Sequence, residues 1–186
     1  YVNDKVRIKD RSMSKSQVRK KDALAQALLT LLHHEAVEKI TVDQLCREAD
    51  VHRSTFYRYF QDKYDLLHYV FQKIWLEQID ENNVVDSMIE MIIRDKDIFR
   101  NISVNNSSNS LYALMIDMVA EQILDASLND RLHNVLWIEE TVLNATDQKL
   151  AANMIAGAFL TLLFKWVDSN YQMSSTELSD FIKHLH

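Results

Sequence analysis

The stretch from Thr41 to Lys63 carries side chains suited to hydrogen bonding with nucleic acid. Phe56 and Phe60 are four residues apart, so a helix here would bury both on one face. The opposite face then holds donors and aromatic rings but no acid: Arg53, Ser54, Thr55, Tyr57, Arg58 and Tyr59. Guanidinium and hydroxyl groups on a short exposed helix are the groups that contact base edges and phosphates in the DNA major groove.

The neighbouring residues predict the elements that would hold this helix. Thr41 and Gln44 form a capping-box pattern, which predicts a helix from Val42 with Leu45 and Cys46 on its inner face. Asp50 interrupts the pattern, and a second helix is predicted from Arg53 to Phe60. Asp62 is a typical N-cap for a third helix. The order helix, short turn, helix predicts a helix-turn-helix.

Each predicted DNA contact has its own physical reason. The Thr41 hydroxyl and the helix amides after it suit a phosphate. Arg53, Ser54 and Thr55 open the second helix, where base edges are within reach. The hydroxyls of Tyr57 and Tyr59 suit backbone oxygens, and packing against neighbouring helices is the alternative for both tyrosines. Lys63 suits another phosphate, and Arg58 belongs to the same exposed face.

The N-terminal residues are basic. We predict a helix from Ser16, and the cations at its start (Lys15 and Arg19, with Lys20 and Lys21) oppose the helix dipole. A phosphate partner explains that placement better than helix stability does. Residues 1–15 are predicted to form a flexible basic arm that follows the minor groove, with an ordinary disordered terminus as the alternative.

The stretch resembles the DNA-binding domain of the tetracycline-repressor (TetR) family of bacterial transcription regulators. The likeness covers about a third of the chain, in the family's order and spacing, and rests on Thr41-Val42, Ala49, Val51, Thr55 to Phe60, Lys63 and Leu66-Leu67. Asp50 stands where the family mostly has Gly; Asp tolerates a left-handed turn conformation at some strain. His52 replaces the usual Ser and would alter which bases or phosphates are contacted.

Composition favours an all-α protein. The chain of 186 residues has one Gly and no Pro, whereas hairpins and tight turns depend on both. Residues 1–70 carry 13 Lys/Arg and 10 acids, and the rest carries 8 and 17, so a basic end joins an acidic body. A lone Cys, no signal-peptide pattern and no uninterrupted apolar run of membrane length predict a cytoplasmic protein without a membrane partner.

Three regions are predicted: the arm over 1–15, a helix-turn-helix domain over 16–62, and a helical regulatory and dimerisation domain over 63–186. The helix from Lys63 is predicted to reach about Asp80 and to join the two domains. Further helices are predicted at Val84–Asn101, Ser108–Ser127, Arg131–Asn144, Asp147–Asn170 and Thr176–His186.

The stretch Met154–Val167 is apolar almost all round, as expected of a helix in a protein centre or a subunit interface. With Thr176–His186 it predicts half of a dimeric four-helix bundle, the mode of dimerisation that the resemblance also implies; the central helix of a monomer is the alternative. Gly157 in mid-helix suggests close helix approach. The predicted interface residues are Ala156, Gly157, Leu160, Phe164 and Phe181.

The resemblance further implies an effector cavity in the body for a small, mainly apolar ligand. Its candidate lining is Trp75, Met91, Phe99, Tyr112, Met115, Met118 and Trp137, although such residues at helical spacing also form ordinary core. The implied function is a ligand-responsive repressor that binds palindromic double-stranded DNA as a homodimer. The alternative is a TetR-like co-regulator that acts through protein partners without binding DNA.

An enzyme is disfavoured by the motifs. The sequence has no Gly-rich phosphate loop, no nucleophile elbow and no metal-ligand spacing of Cys and His. We therefore predict no catalytic residue, metal or cofactor.

Overall fold

The computed structural model describes residues 14–75, 78–80, 82–103 and 109–185. Within them the chain forms ten α-helices, a π-helical turn and no strand, which confirms the all-α prediction. The helices are α1 Lys15–Leu32, α2 Val42–Glu48, α3 Arg53–Tyr59, α4 Lys63–Val70, α5 Val84–Arg94, α6 Lys96–Ser103, α7 Asn109–Leu128, α8 Leu136–Leu143, α9 Gln148–Asp168 and α10 Ser175–Lys183. The predicted arm lies outside the described residues except for its last two.

Helices α1 to α3 are called the head below, and the first two of them each begin at a capping box. Ser14 and Gln17 form a capping box at α1, and Thr41 and Gln44 form another at α2. Asp50 turns the chain between α2 and α3 with φ of 50°, the left-handed conformation expected at that position. The two capping boxes satisfy amide groups that helix starts leave without partners.

Helix α4 begins at its predicted N-cap, Asp62, whose carboxylate accepts from the amides of Tyr64 and Asp65. After Val70 the helix continues as one π-helical turn, Phe71–Trp75. Trp75 is buried there, with its ring 5.0 Å from that of Phe99. Residues 76 and 77 lie outside the described ranges, and residues 78–80 are not α-helical, so the predicted continuation of the helix to about Asp80 is too long.

Helices α5 to α10, called the body, differ from the predicted elements in three places. The expected single helix Val84–Asn101 is divided at Asp95 into α5 and α6. Helix α8 begins at Leu136, after a turn in which Asp130 has φ of 52°. The N-cap of α10 is Ser174, two residues before the predicted start at Thr176, and it forms a capping box with Glu177.

Helix α9 is the centre of the body and packs against α6, α7 and α8. Its length and mean hydropathy of 1.6 would by themselves suit a membrane span. Its buried side chains, including Ile155, Leu163 and Val167, belong instead to one apolar core that continues through α4 into the head. The head and the body are therefore packed around one continuous apolar core.

Candidate nucleic-acid interface

The exposed face of α3 is the face predicted from the sequence. Phe56 and Phe60 are 0% and 4% exposed and pack behind the helix. His52 is the N-cap and makes no side-chain capping bond. It is exposed, and so are Arg53, Ser54, Tyr57 and Arg58. These five side chains form a continuous surface of donors at the start and outer face of α3.

Arg53 is held by two neighbours. Its Nη1 donates to Oδ1 of Asp43 on α2 at 2.5 Å, and its Nη2 donates to the Tyr57 hydroxyl at 3.2 Å. The hydrogen bond with Asp43 is the main reason why the pKa of Arg53 is raised, and the bond with Tyr57 adds to it. The direction of the Arg53 guanidinium is therefore set by Asp43, an acid that was not among the residues singled out from the sequence.

Thr55 and Tyr59 are half-buried, unlike the rest of the predicted face. The ring of Tyr59 packs against the core, which is the alternative considered for this residue. A DNA contact by either side chain would have to use the part that remains exposed.

The Thr41 hydroxyl is already used within the capping box. It accepts from the Gln44 amide at 3.2 Å and lies 2.7 Å from Gln44 Oε1. The Gln44 side chain also donates to Glu35 at 2.8 Å, which ties α2 to the segment before it. Thr41 remains exposed, so its predicted phosphate contact stays a prediction.

Among the cations predicted to contact DNA, Lys63 differs most from its predicted role as an exposed phosphate contact. Its Nζ donates to the backbone carbonyls of Glu38 and Ile40, at 2.7 and 2.9 Å. Burial lowers the pKa of Lys63, and the nearby carboxylate of Glu38 offsets part of that effect. The side chain fastens the segment between α1 and α2 onto α4.

Lys15 and Arg19 are exposed on the first turns of α1, and no acid lies in that first turn. Lys21 differs from them because its ammonium lies over the Tyr69 ring, 4.1 Å from the centroid. Lys15 and Arg19 are thus two further exposed cations of the head, and Lys21 joins the head to α4.

The predicted effector residues lie inside the body. Trp75, Met91, Phe99, Met115 and Met118 are each at most 5% exposed. Tyr112 and Trp137 are half-buried and have internal partners: the Tyr112 hydroxyl donates to the Gly157 carbonyl, and the Trp137 indole donates to that of Ile182. They belong to the core or pack against it, and an apolar effector site among them stays a prediction.

The predicted dimer residues are not all available at the surface. Ala156 and Leu160 are 0% and 3% exposed, covered by the chain's own helices. Gly157 and Phe164 are half-buried, and Phe181 is 49% exposed.

The exposed apolar side of α9 lies at Leu150 and Met154, 66% and 64% exposed. Neither residue could be predicted as exposed from the sequence, because a helix that is apolar all round gives no periodicity to mark its outer side.

Comparison with known families identifies the class of this protein. A family model described as "Bacterial regulatory proteins, tetR family" matches residues 21–70. A second, described as "Transcriptional regulator C-terminal region", matches residues 80–186, more than half of the chain. The chain belongs to the TetR family of bacterial regulatory proteins, and α2 and α3 are the helix-turn-helix of its DNA-binding domain.

Individual relatives agree with that assignment. The chain is 33% identical over 72 residues to the HTH-type dhaKLM operon transcriptional activator DhaS of Lactococcus lactis subsp. lactis (strain IL1403). That match spans 39% of this chain and 38% of the relative's length. A solved structure titled "Dihydroxyacetone kinase operon activator DhaS" has the same fold, with a TM-score of 0.53 at 16% identity over 89% of this chain and 91% of that one.

Proposed function

We propose that this protein binds a near-palindromic DNA site as a homodimer and changes its occupancy of that site in response to a small molecule. The observation that carries the proposal is the exposed, acid-free face of α3, backed by Phe56 and Phe60. Two copies would place their α3 helices in successive major grooves, about 34–36 Å apart.

The proposed DNA contacts are assigned according to how exposed each side chain is. Arg53 and Ser54, at the start of α3, contact base edges, and Arg53 pairs with guanine through its guanidinium fork. Tyr57 and Arg58 contact phosphates beside the groove, joined by Lys15 and Arg19 on α1. Lys63 is left out of this set because its ammonium already binds two carbonyls.

The proposed dimer uses the outer sides of α9 and α10. Leu150 and Met154 are one helical turn apart on α9, and Phe181 with Leu185 gives the C-terminal segment an exposed apolar side. Apolar side chains exposed to this degree on two consecutive segments of the chain suit a self-complementary two-fold contact. Ala156 and Leu160 support that contact from inside the chain.

Repression is the simplest outcome of such binding, because a dimer bound over a promoter excludes polymerase without any further contact. A ligand that binds better to a conformer with the wrong head spacing would release the DNA. The relative described above carries the name of an activator. A reporter assay with the recovered DNA site therefore decides whether the protein represses or activates transcription.

The test begins with selection of binding sites from random DNA by the full chain. We expect a near-palindrome with half-sites about one helical turn apart and an affinity that falls steeply with salt. Arg53→Gln should weaken binding to the selected site by about 10- to 100-fold and relax preference at one base pair per half-site. Arg94→Gln, which removes an exposed cation from the body, is the control and should change neither property.

Two outcomes would contradict the proposal. Recovery of no preferred sequence, together with salt-insensitive binding, would favour a co-regulator that acts through proteins. A monomer in sedimentation would exclude the dimer. If the dimer forms, Met154→Ser with Phe181→Ser should dissociate it, whereas Leu128→Ser, an exposed leucine at the end of α7, should not.

A further inference from the structure

A polar cleft lies on the body, away from the apolar residues predicted to hold an effector. It has a volume of about 360 Å³ and is lined by Lys96, Asp97 and Arg100 of α6 and by Asn170 and Tyr171 of the turn after α9. That volume falls within the range of small-molecule sites, about 300–1,000 Å³. The lining holds two cations and one acid, so its net charge is positive.

The two cations of the cleft have no carboxylate partner among the residues that the structure describes. Arg100 donates from Nη2 to the neutral Asn170 amide oxygen at 2.5 Å, which uses one of its five N–H donors. The Lys96 ammonium lies over the Tyr171 ring, 4.8 Å from the centroid. A single carboxylate would neutralise the cleft, and the guanidinium fork matches its two oxygens.

The turn that closes the cleft is strained and firmly held. Asn170 and Tyr171 have φ of 58° and 61°, a conformation that costs energy for residues other than glycine, and most for a bulky one. The Tyr171 amide donates to the Trp166 carbonyl at 3.0 Å, and the two rings meet edge to face with centroids 4.9 Å apart. These contacts hold the turn against the end of α9, and the contacts of Arg100 with Asn170 and of Lys96 with Tyr171 join it to α6.

Helix α6 also contacts the head, through the residue that follows Arg100. Asn101 donates from Nδ2 to the Leu32 carbonyl at the end of α1, at 2.8 Å. Its own carbonyl accepts from the Val37 amide at 3.2 Å, in the segment that leads to α2. A shift of α6 towards a bound ligand would therefore pull on the segment that positions the helix-turn-helix.

We propose that this cleft binds a small carboxylate ligand through Arg100 and Lys96, and that Asn101 passes the resulting shift of α6 to the head. The ligand-binding part stands alone, and the signalling part rests on the proposed function. The proposal places an effector on the polar outer side of α6. The apolar residues of the body centre then serve as core.

The binding test uses the full chain labelled with ¹⁵N and titrated with acetate, benzoate or inorganic phosphate at constant ionic strength. We expect both carboxylates to shift the Asn170 and Tyr171 amides and the Trp166 indole in a saturable way. Arg100→Gln should weaken carboxylate binding at least about tenfold and Lys96→Gln several-fold. Lys149→Gln, which removes a cation at the opposite end of α9, should leave it unchanged. Shifts that never saturate, or saturation by phosphate alone, would overturn the carboxylate site.

The signalling test follows hydrogen exchange of the Val37 amide with and without benzoate. Exchange should change on binding in the wild type, because the acceptor of the Val37 amide is the Asn101 backbone carbonyl on α6. The change should persist in Asn101→Ser, which keeps that carbonyl, and should shrink in Arg100→Gln at the same benzoate concentration. No change in the wild type, or an equal change in Arg100→Gln, would overturn the signalling role of α6. No DNA is needed, so failure of these tests and failure of the DNA-binding proposal can be told apart.

Discussion

The guanidinium of Arg53 lies 2.5 Å from the carboxylate of Asp43, which is ten residues earlier and on the preceding helix. Both side chains are well exposed, so the pair contributes little to stability. The pair matters instead for orientation, because the Asp43 carboxylate fixes the plane of the Arg53 guanidinium, the group that we propose contacts a base edge.

We expect Asp43→Asn to raise affinity for unrelated DNA a few-fold and to lower the preference for the selected site several-fold. The first effect follows from the loss of a negative charge near phosphates, and the second from the loss of a fixed guanidinium. Competition binding with selected and scrambled DNA measures both. Glu48→Gln removes an exposed acid from the end of the same helix and should reproduce the first effect alone. Equal behaviour of the two variants would mean that Asp43 acts only through net charge.

Lys63 gives a second prediction, because its ammonium binds the Glu38 and Ile40 carbonyls. Lys63→Gln should lower the free energy of unfolding by about 1–3 kcal/mol, the cost of leaving partly buried polar groups with poorer partners. Urea unfolding measures this loss. Lys39→Gln, at an exposed lysine of the same segment, should have little effect.

The same variant tests the original expectation of a phosphate contact. If Lys63 only braces the segment between α1 and α2, the salt dependence of DNA binding should stay unchanged in Lys63→Gln. A slope reduced by about one would instead restore Lys63 to the phosphate contacts.

Local sequence patterns predicted the parts of the fold that depend on neighbouring residues. The Thr41 and Gln44 capping box, the left-handed Asp50 and the Asp62 cap are each decided within four residues, and each is present. The division at Asp95 was missed because no Gly or Pro marks it. The cap of α10 was placed too late because Thr176 was preferred to Ser174.

The contacts that shape the candidate site come from residues distant in sequence, and no periodicity reveals them. Lys63 reaches back 25 residues to the Glu38 carbonyl, and Asn101 reaches back 69 residues to that of Leu32. Both depend on how α1, α4 and α6 pack together. The sequence therefore placed Arg53, Ser54, Tyr57 and Arg58 correctly on the exposed face of α3 but also placed there the half-buried Thr55 and Tyr59. It could not show which cations already had partners.

Asp86 gives a pH-dependent prediction. The hydrogen bond from Lys183 is the main cause that lowers the pKa of Asp86, and the bond from Ser179 adds to it. Its carboxylate lies 2.6 Å from Lys183 Nζ and holds α10 against α5. Because the pKa of Asp86 is lower in the folded state than in the unfolded chain, this contact stabilises the fold at pH values above the ordinary carboxyl pKa of 3.8. The contribution is lost as pH falls through the lower folded value.

We therefore expect Asp86→Asn to cost about 1 kcal/mol near neutral pH, with the difference from wild type constant down to about pH 5 and shrinking below about pH 4. Urea unfolding of both proteins across that range measures it. Asp180→Asn, at an exposed acid of α10, should show a much smaller difference. If the difference in unfolding free energy between Asp86→Asn and wild type grew as the pH fell, the stabilising role of the Asp86 carboxylate would be contradicted.

Gly157 gives the last prediction, and its sign tests the proposed dimer. A Cβ added at Gly157 would lie 3.7 Å from Ile116 Cδ1, which is ordinary van der Waals contact. Among the residues of one chain that the structure describes, then, nothing requires glycine in the middle of α9, contrary to the close approach inferred from the sequence. Gly157→Ala should raise the free energy of unfolding by about 0.5–1 kcal/mol, because alanine loses less backbone entropy in a helix.

Ala158→Gly at the next, exposed position is the matched control and should lower stability by a similar amount. Unfolding at low and high protein concentration separates the fold from the dimer. If Gly157 contacts the partner's helix, the added methyl group should weaken association even though the single chain becomes more stable. A gain of equal size at both concentrations would place Gly157 outside the interface and leave Leu150, Met154 and Phe181 as its apolar centre.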